Sequence, residues 1–297
     1  MANPHSAWVD LDGHTHVLEV SGPIGAPPVV AVHGLGGSYA NWLAVAPDLA
    51  RDHRFYAIDL AGHGRTRPDH RSTGVAANQA LLNRFLIEIV GEPATLLGNS
   101  MGGLISLNQA ALNPTTVRDL VLMGPALPVG GFHLPEPAVL AGVVATGIPR
   151  LGARLVARRR AQLSPQEQVA EAMKLCTVDP SRIPDDVVAE MVEVARHRAS
   201  FVGAELAVEH AARSTVMGVL NRRRYERVLD AVRAPVLILH GEQDRLVPVE
   251  ASRRAVAGRP GWTLVTRADL GHVVQLEDPA WTVEQIRAWQ SDAADRS

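Results

Sequence analysis

A serine, a histidine and an aspartate stand in this 297-residue chain in an order and in local settings suited to nucleophilic acyl transfer. The serine is Ser100, in Gly98-Asn99-Ser100-Met101-Gly102, between an apolar run and a helix-like pattern. A Gly-x-Ser-x-Gly sequence in that setting predicts a sharp turn, with glycine where larger side chains would clash as the backbone doubles back. The turn pushes the hydroxyl out above a sheet and sets it at a helix N-terminus, where free N–H groups and the helix dipole favour a developing oxyanion. The five-residue pattern alone also fits a glycine-rich turn with a capping serine. The strand before it and the helix after it favour the nucleophile.

Serine is a poor nucleophile at neutral pH. It needs a base to take its proton and an acid to hold that base in the right tautomer. Asp269-Leu270-Gly271-His272 places His272 on a loop near the C-terminus, and Asp244 closes the turn that follows the apolar strand ending at His240. The order Ser100, Asp244, His272 is nucleophile, acid, base, the order of α/β hydrolases. Asp269 shares the loop of His272 but does not follow a strand end across the site. Asp59, His63 and His70 follow an earlier strand, and their turn reads as structural. His240 ends its own strand and reads as a core residue.

Acyl transfer also needs two donors aimed at the carbonyl oxygen as it becomes tetrahedral. His33-Gly34-Leu35-Gly36-Gly37 follows the apolar run Pro28–His33 directly. The backbone N–H groups of Leu35 and Met101 are the candidate donors. His33, Gly34, Gly36, Gly98 and Gly102 are the candidate support for the two turns. The plain alternative for the first is a turn with glycines at positive φ. Its place at the carboxyl end of a strand, where open α/β sheets bind ligands, favours the functional reading.

These residues must be positioned by a strand–helix alternation, and the pattern predicts one: a mostly parallel sheet with helices on both faces. An antiparallel hairpin opens the chain (Trp8–Leu11 and Thr15–Val20, turning at Asp12-Gly13). Strands follow at Pro28–His33, Phe55–Asp59, Ala94–Gly98, Val117–Gly124, Pro235–His240 and Thr263–Thr266. Helices are expected at Asn41–Ala50, Val75–Val90, Met101–Leu112, Val249–Val256 and Trp281–Trp289. Between them, residues 126–224 carry only helical patterns: Val139–Thr146, Arg150–Ala161, Pro165–Cys176 and Asp185–Ala212. This stretch reads as a helical cap inserted into a core domain made of residues 1–125 and 225–297.

The HGLGG, DLAGHGRT, GNSMGG, GEQD and GH segments, in this order, resemble the α/β-hydrolase superfamily, in its capped group of esterases, lipases and C–C bond hydrolases. The resemblance covers about residues 7–125 and 225–290 and is loose in the inserted stretch. It implies a Ser-His-Asp serine hydrolase with an acyl-enzyme intermediate, most simply acting on carboxylic esters with apolar acyl or alcohol parts. Ser100 sets the chain apart from the superfamily members that carry an aspartate nucleophile. GNSMGG and Leu122-Met123-Gly124-Pro125 also resemble hydrolases that cleave C–C bonds in meta-cleavage products. Those enzymes usually have a longer glycine-rich oxyanion loop than HGLGG. A hydrolase-like ligand receptor with an intact triad is the reading from another class.

Composition narrows the rest. A formal net charge of −2 gives no basic face for nucleic acid. With 46% hydrophobic and 20% charged residues the chain can bury a sizeable core. The single cysteine, Cys176, excludes an internal disulfide. The first residues lack the basic and apolar regions of a signal peptide. The longest apolar run, Ala138–Ile148, is too short to span a bilayer, which takes about 20 residues. A cytoplasmic protein without stable membrane insertion is expected, and near-exclusive use of arginine over lysine suggests a GC-rich bacterial source. No metal-ligand spacing or phosphate-binding loop is present, so no cofactor is expected. The expected partner is a small ester or lipid-like substrate. The runs Arg158–Arg160 and Arg222–Arg224 read as solvated faces.

Overall fold

The computed structural model describes residues 4–128 and 163–294. Among them, eight strands form one sheet in the order β1-β2-β4-β3-β5-β6-β7-β8. These are β1 (Pro4–Asp10), β2 (His14–Val20), β3 (Pro28–Val32), β4 (Arg54–Ile58), β5 (Ala94–Asn99), β6 (Val117–Met123), β7 (Val236–Gly241) and β8 (Trp262–Arg267). The β1–β2 and β2–β4 pairs are antiparallel, and every later pair is parallel. The hairpin turns where expected, with Asp12 at φ 61° and Gly13 at φ 123°.

The central strands β3, β5 and β7 are buried along their whole length. Their near-continuous apolar sequences suit strands covered on both faces. Alternation then sorts the side chains. Val30 and Val32 join one core with Leu82, Phe85, Leu104 and Ile105. Val29 and Ala31 join the other with Trp42, Leu49, Ile286 and Trp289. The period of two along a strand feeds both layers.

Helices Met101–Leu112, Pro165–Cys176 and Val249–Val256 have the predicted bounds. Other elements differ for identifiable reasons. Asn41–Ala50 is not one helix but a 3-10 turn, Tyr39–Trp42, followed by a single turn, Ala46–Leu49, with Pro47 at its start. Val75–Phe85 ends in a π-helical turn, Leu86–Val90. Asp185–Ala212 is two helices, Asp185–Ala199 and Ala204–Leu220, broken at Gly203 with φ 81°. The helix Arg222–Ala231 was not expected. The Asn221 side chain caps it by accepting from the Arg224 N–H at 3.2 Å. Its arginines are exposed, while Tyr225 and Leu229 join the sheet's core. The boundary expected at 224/225 therefore falls inside this helix. The expected helices Val139–Thr146 and Arg150–Ala161, the run Ala138–Ile148 and Arg158–Arg160 lie outside the described residues.

Candidate active site

Ser100 follows β5 and precedes the helix Met101–Leu112, with φ 51° and ψ −115°. That is a left-handed φ for a residue with a Cβ, a conformation that persists only where surrounding structure enforces it. Three backbone hydrogen bonds do so: Ser100 N–H to Met123 O at 3.1 Å, and the N–H groups of Leu104 and Ala126 to Ser100 O at 3.2 and 3.0 Å. The flanking glycines are sterically required. A Cβ on Gly102 would stand 2.0 Å from Val32 O, and one on Gly98 2.7 Å from Gly103 Cα.

The loop after β3 passes directly beside the serine, since a Cβ on Gly34 would lie 3.2 Å from Ser100 Cβ. The Gly34–Leu35 peptide is held on its carbonyl side. Gly34 O accepts from Gly37 N–H at 3.1 Å and meets His33 Nδ1 at 2.7 Å. His33 is fully buried, and its Nε2 accepts from Leu60 N–H at 3.1 Å. With Nε2 an acceptor, the proton of a neutral ring sits on Nδ1 and points at Gly34 O. Burial holds the His33 imidazole below its ordinary pKa, against the raising influence of Asp59. The Leu35 N–H shares the peptide unit thus fixed, and the Met101 N–H is a first-turn amide with no intrahelical acceptor. Gly36 has φ 72°, and its carbonyl accepts from Arg198 Nη1 at 2.9 Å.

Asp244 and His272 are brought together: His272 Nδ1 lies 2.7 Å from Asp244 Oδ2, and both residues are buried. Asp244 Oδ1 accepts from the N–H groups of Leu246 and Val247 at 2.8 and 2.9 Å. Burial alone would raise the Asp244 carboxyl, but the facing His272 imidazole and the His240 and His272 hydrogen bonds hold it well below the usual carboxylate range. Asn99 joins serine and histidine loops, donating from Nδ2 to Met123 O at 2.9 Å and to His272 O at 3.2 Å. The hydrogen bonds of His272 run to Asp244, Asn99 and Cys176, and a direct bond from Ser100 Oγ is not among them. Such bonds often tighten only with substrate in place.

Three residues that sequence reasoning did not place in the site support this arrangement. Gly124, at φ 48°, lies so close that a Cβ would stand 3.0 Å from His272 Nδ1 and 3.1 Å from Asp244 Oδ2. Glu277 is buried and accepts from Gly271 N–H at 2.7 Å, Val178 N–H at 2.7 Å and Asp179 N–H at 3.2 Å. It ties the loop of His272 to the chain leaving the helix Pro165–Cys176, and His272 N–H donates to Cys176 O at 2.7 Å alongside. An apolar cluster of Ile183, Val187, Val273 and Leu276 packs over the same junction. The third is His240, whose ring reaches Asp244.

The decoys have structural roles. Asp59 accepts from the N–H groups of Tyr39 and Arg65 at 2.7 and 2.8 Å and pairs with His16 Nδ1 at 2.9 Å. His63 is buried with its Nδ1 on Ala61 O at 3.1 Å. Asp269 pairs with Arg182 and Arg267 at the surface. The Cys176 thiol is pushed up to about 12 by burial, with Asp244 and Glu277 adding to the shift, which disfavours the thiolate. Among the described residues no group of His, Cys, Asp and Glu could hold a metal ion, and no helix is long and apolar enough to cross a membrane.

The chain belongs to the α/β hydrolase fold family, whose match spans residues 27–279. It is similar to the 2-hydroxy-6-oxo-2,4-heptadienoate hydrolase of Pseudomonas putida, at 32% identity over 254 residues, covering 84% of each chain. A dihydrolipoyllysine-residue acetyltransferase component of the acetoin cleaving system, also from Pseudomonas putida, is 28% identical over 282 residues. That match takes in 95% of this chain, which spans 65% of the relative's length. The human monoacylglycerol lipase is 22% identical over 267 residues, 88% of this chain and 74% of the relative.

Proposed function

We propose that this α/β hydrolase cleaves carboxylic esters with apolar acyl or alcohol parts, through a Ser100–His272–Asp244 triad and an acyl-enzyme. The observation that carries the reading is Ser100 in a strained turn at a helix start, next to Asn99, whose side chain bonds the carbonyl of His272 in a buried Asp244–His272 pair. Strain of this kind is retained where it serves a site.

Ser100 Oγ attacks the carbonyl carbon as His272 takes its proton, and Asp244 stabilises the imidazolium so formed. The N–H groups of Leu35 and Met101 hold the oxyanion in an environment already oriented for it. His272 then protonates the leaving group, and water repeats the cycle to release the acid. The described helices of the inserted stretch, from Pro165 to Leu220, act as a cap over the site. The apolar junction of Ile183 and Val187 with Val273 and Leu276, and the bonds of Glu277, support a cap anchored beside the base. The short HGLGG loop and the likeness to a monoacylglycerol lipase favour esters.

A second reading, C–C bond hydrolysis of a dienoate, is favoured by the 32% likeness to the heptadienoate hydrolase. One experiment separates the two. Wild type and Ser100→Ala are assayed on p-nitrophenyl esters from acetate to palmitate and on 2-hydroxy-6-oxo-2,4-heptadienoate. Ester turnover that falls about 10³-fold or more in Ser100→Ala is expected. Serine-dependent turnover of the dienoate alone would move the assignment to C–C cleavage. Failure of wild type on both, with no labelling by a fluorophosphonate, would point to a receptor.

A further inference from the structure

We infer that His240 is a positioning residue for the Asp244–His272 pair; the inference rests on the triad reading above. His240 lies near the end of β7 and is wholly buried. The residues before it, Leu237, Ile238 and Leu239, fill the core without polar atoms. An imidazole in that company costs stability unless its nitrogens are bonded.

They are, and in a way that fixes the ring's proton. Nε2 lies 3.1 Å from Asp244 Oδ2 and 2.9 Å from Val247 O. Both neighbours are acceptors, so Nε2 carries a hydrogen. Nδ1 lies 2.7 Å from Ser252 Oγ, a hydroxyl able to donate into the remaining lone pair. A neutral Nε2–H ring therefore satisfies every contact. Asp244 Oδ2 accepts the His272 N–H and lies 3.1 Å from His240 Nε2, whose hydrogen is bonded to Val247 O, while Oδ1 accepts two backbone N–H groups. Three N–H bonds and the close His240 imidazole leave the carboxylate one orientation. The His240 N–H also draws charge from the very oxygen that steadies His272, so it sets how strongly Asp244 favours the imidazolium. The charges of Asp244 and Glu277 both act on the neighbouring Cys176 thiol. A merely space-filling histidine would need neither the fixed tautomer nor contact with that oxygen.

The test uses the full chain with His240→Leu, which keeps bulk and removes the donor, and His240→Gln, whose amide can still donate. Three quantities are read: kcat and KM for the best p-nitrophenyl ester across the acid and neutral range, the low-field resonance of the His272 Nδ1 proton, and the His240 tautomer in wild type by nitrogen-15 NMR. The expected results are an Nε2–H tautomer and a kcat about 10-fold or more lower in His240→Leu, with KM little changed. The acid limb of its profile and the low-field resonance should also move, and His240→Gln should recover most of the loss. A proton on Nδ1 alone in wild type would overturn the inference. So would a folded His240→Leu protein with wild-type kcat, pH profile and resonance. If wild type hydrolyses no ester, the ester reading fails separately. The shift of the low-field resonance between wild type and His240→Leu then still decides whether His240 acts on Asp244.

Discussion

Asp244 is where burial and hydrogen bonding oppose one another most directly. Burial favours the neutral acid, and three N–H groups bonded to its two oxygens, with His240 Nε2 3.1 Å away, favour the carboxylate. Replacing one oxygen by an amide breaks that match in a predictable direction. In Asp244→Asn the carbonyl oxygen should stay with Leu246 and Val247 N–H, where two donors hold it. The amide NH2 would then face the N–H groups of His240 and His272, donor against donor. His272 escapes by moving its proton to the other nitrogen, the one that must receive the Ser100 proton. The expected loss in kcat is about 10³- to 10⁴-fold, as for an imidazole held in the wrong tautomer. Steady-state kinetics on the best ester would show it, with circular dichroism to verify folding. A loss under about tenfold would mean that Asp244 does not orient the base.

At the scale of elements, the site is a convergence of loops, and Glu277 is the clamp that makes two of them one. It holds Gly271, adjacent to His272, and Val178 and Asp179, beyond the helix Pro165–Cys176, through three backbone N–H groups. Glu277→Gln keeps the shape but turns one acceptor into a donor facing an N–H. Leaving such a group unmatched costs about 1–3 kcal/mol. Urea unfolding should show a loss of that size, and hydrogen exchange should show faster opening at both Gly271 and Val178. Faster exchange at only one of the two would argue against a clamp. The sequence carried no sign of this role, because a lone glutamate after the histidine loop has no telling spacing and two of its three partners are backbone groups 98 and 99 residues away. The Asp244–His272 pairing and the glycine-flanked turn at Ser100 were legible because they depend on local turns and chain order. So were the buried strands, whose apolar runs declare coverage on both faces. His240 and Gly124 were not legible as site residues, since only the folded sheet brings the ends of β6 and β7 beside the histidine loop. The broken helix near Gly203 and the helix Arg222–Ala231 were missed because a glycine stop and an asparagine cap are weak signals inside long helical patterns.

Across the whole molecule, the sheet and its loops enclose histidines that must stay neutral for the fold to hold. His33 is kept below its ordinary pKa by burial, as is His53, and His63 is pushed down to about 3 by burial with help from His33 and Arg198. In the unfolded chain each titrates near 6.5. Between that value and the folded one the unfolded chain binds more protons, so stability rises with pH there and falls on acidification. The stabilising contribution is complete above about pH 6.5 and is lost as pH drops toward about 3, and His63 alone is worth on the order of a few kcal/mol. The loss reaches the site as well as the fold. A proton on His33 Nε2 would confront Leu60 N–H, which now donates to it, and would disturb the ring that holds Gly34 O. Urea midpoints at about pH 7.5 and about pH 5 should therefore differ clearly in wild type. His63→Asn, whose amide can still reach Ala61 O but does not titrate, should shrink the difference. Equal pH dependence in variant and wild type would show that His63 is not the proton-linked group.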